Sequence, residues 1–111
     1  METKYFLKGD VLFQEGREDG LAYIVKKGSV ILAKGMHGAW SKQVATIEAG
    51  GIIGEMALID DKPHSVTATA AEDGEALVLT REEYLSRVEK SDKVVALIIK
   101  TLTNRLRSTY A

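Results

Sequence analysis

The stretch Gly54-Glu55-Met56-Ala57-Leu58-Ile59, followed by Pro63-His64-Ser65, decides how this chain is read. Its glycine is placed to end a strand, and the next residues suit a short helical turn whose first backbone N–H groups lack a partner inside the helix. Such groups face outward and make an anion site that a phosphate fits. Glu55, at the first helical position, is a poor phosphate ligand by charge but a good acceptor for a sugar hydroxyl, so the segment suits a phosphate carried on a ribose. A purely structural alternative exists: Gly54 ends the strand and Glu55 complements the helix dipole. Pro63 fixes the turn that presents His64. Asp60 and Asp61 read as turn formers, and Lys62 as a solvated turn residue.

Between residues 11 and 80 the pattern is one of short apolar or alternating runs broken by Gly- and Asp-rich turns, which predicts an antiparallel sandwich or barrel. The clearest strands are residues 22–26, 30–33, 44–48, 66–70 and 76–79. Strict alternation in Ser65-Val66-Thr67-Ala68-Thr69-Ala70 puts Val66, Ala68 and Ala70 on one face and the three hydroxyl residues on the other. Residues 34–42, with Gly35, Gly38 and Trp40, read as a mobile hairpin tip. Thr80-Arg81-Glu82-Glu83 spells a capping box that starts a helix over about 81–89. Ser91-Asp92 caps a second helix over about 92–108, along which Val94, Val95, Ile98, Leu102 and Leu106 recur at helical spacing. Leu97, Ile99 and Thr101 widen that apolar face beyond one packing stripe, so it calls for a second surface, a partner chain or a bound base.

At 111 residues and 45% hydrophobic content the chain is expected to be one domain, 1–111, with a core that needs no staples. The absence of cysteine excludes disulfides and thiolate metal sites and points to a reducing compartment, the cytoplasm. No apolar run approaches the ~20 residues of a membrane span. A net charge of −1 provides no basic field for nucleic acid. Enzymatic chemistry is not spelled out either. His37 and His64 are the only histidines, too few for a jelly-roll metal centre. Lys27-Gly28-Ser29 lacks the leading glycine and following helix of a phosphate loop, and no serine sits in a Gly-x-Ser-x-Gly elbow. The expectation is therefore a non-enzyme with no catalytic residues, metal or cofactor.

Taken in order, Phe6-Leu7-Lys8-Gly9-Asp10, Leu12-Phe13-Gln14-Glu15-Gly16, Tyr23-Ile24-Val25-Lys26-Lys27-Gly28-Ser29-Val30, the glycines at 50, 51 and 54, and the stretch quoted first resemble the cyclic nucleotide-binding domain family. The first two segments look like its opening strands, the third like its central hairpin, and residues 65–71 and 75–80 like its closing strands. The resemblance implies a mainly β fold: an antiparallel β-barrel or jelly roll over about 5–80, a short phosphate-cassette helix and two C-terminal helices. It also implies roles. Gly54 would allow close backbone approach, Glu55 would take the ribose 2′-hydroxyl, the amides of Met56 and Ala57 would hold the cyclic phosphate, and Ser65 would add a hydroxyl. Thr67, Asn104 and Arg105 would be base contacts, although Arg105 and Arg107 equally suit a helix C-terminus.

One residue departs from the family's pattern, because His64 stands where an arginine is usual. Imidazole, with an unperturbed pKa of ~6.5, is mostly neutral at pH 7. Losing a charge-assisted bond costs about 1.5–3 kcal/mol, or about one to two decades of affinity. The expectation is a regulatory domain that binds cAMP or cGMP, both compatible with Ser65, with weakened affinity, and that moves its last helix on binding. The alternative keeps the fold without nucleotide and uses that helix to bind a partner protein or form a homodimer.

Overall fold

Eight strands among the described residues fold into two four-stranded antiparallel sheets that close over one apolar core. The computed structural model describes residues 1–35 and 41–110. The tip of the hairpin expected to be mobile, residues 36–40, lies outside the described residues. In chain order the strands are β1 (Glu2–Phe6), β2 (Val11–Phe13), β3 (Leu21–Lys27), β4 (Ser29–Gly35), β5 (Ser41–Glu48), β6 (Ile52–Ile53), β7 (Thr67–Ala70) and β8 (Gly74–Thr80). One sheet has the order β1-β8-β3-β6 and the other β2-β7-β4-β5. Between them lie Phe6, Phe13, Tyr23, Val25, Val30 and Ile53, with Ala68, Ala70 and Ala76 beneath the larger side chains. The alternation read from Ser65 to Ala70 is realised, since Val66, Ala68 and Ala70 are buried and the residues between them are half-exposed.

The opening of the roll differs from the expectation. Residues 7–10 form a turn rather than a strand, because the Asp10 carboxylate accepts from Leu7 N at 2.8 Å while Asp10 N donates to the Leu7 carbonyl at 2.9 Å. The strand lies earlier, with β1 paired to β8 from Glu2 opposite Val78 to Phe6 opposite Gly74, so the roll begins at residue 2.

Among the described residues there are also three helices: α1 (Glu55–Asp60), α2 (Arg81–Glu89) and α3 (Lys93–Tyr110). The capping box forms as spelled, with Thr80 Oγ1 accepting from Glu83 N and the Glu83 carboxylate accepting from Thr80 N, both at 3.2 Å. Asp92 caps α3 by accepting from Val94 N at 2.7 Å.

α3 lies on α1, and its more buried stripe is mixed: Ala96, Ile99, Thr103 and Arg107. Thr103 is only 3% exposed, whereas Val94, Val95, Leu97, Ile98, Leu102 and Leu106 face outward, each at least 42% exposed. Covering one such side chain is worth about 1.5–3 kcal/mol, so this outer face favours contact with another apolar surface. Among the described residues no helix is long and apolar enough to cross a membrane, and no cluster of ligating side chains could hold a metal.

Candidate ligand site

β6 delivers the chain to Gly54, whose φ of 79° lies in the left-handed region. A Cβ there would sit 2.8 Å from the Leu21 carbonyl oxygen, 3.1 Å from His64 Cε1 and 3.2 Å from Phe13 Cε2. Glycine is thus required both by the backbone conformation and by the space. The turn opens α1, which buries Met56, Ala57 and Leu58. Helix geometry leaves the N–H groups of Met56 and Ala57 without acceptors four residues back, and Leu58 N is the first to return, to the Gly54 carbonyl at 3.3 Å.

Six of the nine site residues expected from the sequence meet at one cavity of about 50 Å³: Gly54, Glu55, Met56, Ala57, His64 and Ser65. Phe13, Leu32, Val44 and Val66 supply its apolar walls. Thr67 is not part of this lining. It sits in β7, and its hydroxyl accepts from Glu15 N at 3.0 Å. Asn104 and Arg105 are exposed on α3. A cavity of this size suits an anionic group or a few waters, whereas pockets for whole small molecules run to about 300 Å³ or more.

Burial raises the pKa of the Glu55 carboxyl, and its own backbone amide, Arg107 and His64 oppose that rise without cancelling it. His64 is held from every side. Its ring stacks on Phe13 with centroids 3.8 Å apart and planes 13° from parallel. Its Nε2 lies 2.6 Å from Asp19 Oδ1. Its backbone donates to the Arg17 carbonyl at 3.0 Å and accepts from Gly16 N at 2.8 Å. With Nε2 committed to Asp19, Nδ1 is the ring's remaining polar atom.

Arg107 also lines the cavity, which the sequence reading missed by treating it as a charge suited to a helix end. It donates from Nε to Asp60 Oδ2 at 2.7 Å, from Nη2 to Asp60 Oδ1 at 2.9 Å and from Nη1 to the Pro63 carbonyl at 2.8 Å. Asp60 is correspondingly more than the turn former it was read as. Burial alone would raise its pKa, but the hydrogen bonds from Arg107 and from the Lys62 amide, with both cationic charges, outweigh that and hold it below the usual value. The available sequence signal was the four-residue spacing of Ile99, Thr103 and Arg107, which places all three on one helix face.

A two-sheet β-roll with a glycine-started cassette helix over an anion-sized cavity defines a regulatory ligand-binding domain. The cyclic nucleotide-binding domain family matches residues 3–91, and the chain belongs to that family. It is 31% identical over 106 residues to the cyclic AMP receptor protein of Thermus thermophilus, covering 96% of this chain and 49% of that protein. It is 33% identical over 96 residues to cGMP-dependent protein kinase 2 of Mus musculus, covering 85% of this chain and 13% of the kinase. The chain therefore spans half or less of the length of these relatives. Among solved structures, the cAMP-bound form of the EAL enzyme Bd1971 superposes with a TM-score of 0.88 at 33% identity, over 97% of this chain and 29% of that one. The Thermus thermophilus catabolite activator protein superposes with a TM-score of 0.80 at 30% identity, over 97% of this chain and 51% of that one.

Proposed function

We propose that the chain senses cAMP or cGMP in the cytoplasm by capturing the cyclic phosphate in the cavity beside α1. The carrying observation is that Glu55, Ser65 and the open first turn of α1 border one cavity, next to a glycine that no other residue can replace without a clash. In this reading the amides of Met56 and Ala57 and the Ser65 hydroxyl hold the phosphate, and Glu55 accepts from the ribose 2′-hydroxyl. Named relatives and solved neighbours include a cyclic AMP receptor, a cGMP-dependent kinase and an enzyme solved with each nucleotide, which supports either base. Affinity is weakened because Nε2 of His64 is engaged with Asp19, where an arginine would present a free fork. Calorimetric titration with each nucleotide tests this. Saturable heat and a rise in melting temperature are expected, and no heat at millimolar nucleotide would refute it.

A second reading, an interaction or self-association module without nucleotide, is favoured by the six apolar side chains on the outer face of α3. A solution mass of twice the chain, together with no thermal shift from either nucleotide, would establish it in place of the first.

A further inference from the structure

We propose that Arg107, not His64, is the cation that meets the ligand's phosphate, so that α3 itself contributes to the anion site. This inference rests on the nucleotide reading above and adds a binding residue to it. Among the described residues lining the cavity, Arg107 is the one permanent cation. His64 is poorly placed to serve, because its Nε2 is taken by Asp19 and its ring is clamped against Phe13. The neighbouring lysines do not compete. Lys62 is exposed, and the Lys34 ammonium reaches the Ser65 carbonyl at 3.4 Å and Glu15 at 3.9 Å, with neither lysine lining the cavity.

Arg107, by contrast, is delivered to the cavity by the more buried stripe of α3, with only 16% of its side chain exposed. Its guanidinium is already oriented by Asp60 through two bonds and by the Pro63 carbonyl through a third. With a longer bond from Nη2 to the Lys62 carbonyl at 3.5 Å, four of its five N–H donors are used, and the second N–H of Nη1 remains for an incoming oxygen. A guanidinium held by a carboxylate on one edge needs little reorganisation to bind an anion on another, which is the condition under which a charge-assisted bond contributes most. Because the same side chain ties α3 to the cassette, phosphate capture and the position of α3 are then linked through one group.

The test compares two substitutions that break the same ion pair but differ in what they leave behind. Arg107→Gln removes the guanidinium, while Asp60→Asn keeps it and loosens only its anchor. Calorimetry with cAMP and cGMP on the full chain should show affinity falling about ten- to a hundredfold in R107Q. In D60N it should stay within about threefold of the parent or rise, since a competing carboxylate charge has gone. Equal losses in both variants would mean that Arg107 only docks α3, and would overturn the proposal. Unchanged affinity in R107Q would overturn it too while leaving nucleotide binding intact. A parent chain that binds neither nucleotide would instead bring down the functional reading, and this inference with it.

Discussion

Breaking the Arg107–Asp60 pair should unfasten the last helix from the cassette, and the size of the effect follows from where the pair sits. Exposed ion pairs contribute about 0–1 kcal/mol, whereas removing one partner of a fully buried pair costs about 3–5 kcal/mol. Here the side chains are 16% and 10% exposed, and the contact is bidentate at 2.7 and 2.9 Å. That places the pair nearer the buried limit. Asp60 would nevertheless keep the Lys62 amide at 3.1 Å and could regain water, which lowers the loss. Arg107→Gln should therefore destabilise the fold by about 2 kcal/mol, a drop of about 8 °C in melting temperature for a chain of this size. In a double-mutant cycle with Asp60→Asn the coupling should be about 1–2 kcal/mol by urea unfolding at pH 7.

The pH dependence supplies an independent check on the same pair. The folded pKa of Asp60 is depressed, so its contribution is complete above the unfolded value of about 3.9 and is lost as pH falls through the folded value. The stability gap between the parent and R107Q should hold from pH 7 to about pH 4 and narrow below that. A coupling under about 0.5 kcal/mol, or a gap that persists unchanged in acid, would refute the reasoning.

Two further outcomes are expected. Gly54→Ala combines a positive φ with a Cβ pressed against a carbonyl, a histidine and a phenylalanine, and should cost about 3 kcal/mol of unfolding free energy; a loss under about 0.5 kcal/mol would show that the turn relaxes. Glu55 has the opposite pH sign to Asp60: its folded pKa is raised, so ionising it works against the fold, an opposition absent below about pH 4 and fully developed once pH exceeds the folded value. Glu55→Gln should accordingly be at least as stable as the parent at pH 7 by urea unfolding, with the advantage vanishing in acid, while its nucleotide affinity falls.

Local chemistry made much of this protein legible in its sequence. The capping box from Thr80 to Glu83, the Asp92 cap and the alternation from Val66 to Ala70 each depend on neighbours within a turn or a strand, and each formed as spelled. The cassette was legible for the same reason, since a glycine turning into a short helix carries its donors with it wherever the fold puts it. Residues 7–10 were misread because Asp10 could close a turn on Leu7 as readily as continue a strand. The tertiary structure alone decided what His64 and Arg107 face. Asp19 lies 45 residues before His64, and Asp60 lies 47 before Arg107. Spacing along the chain carries no information about such pairs, because the path of two sheets and a returning helix sets which charges share a low-dielectric corner.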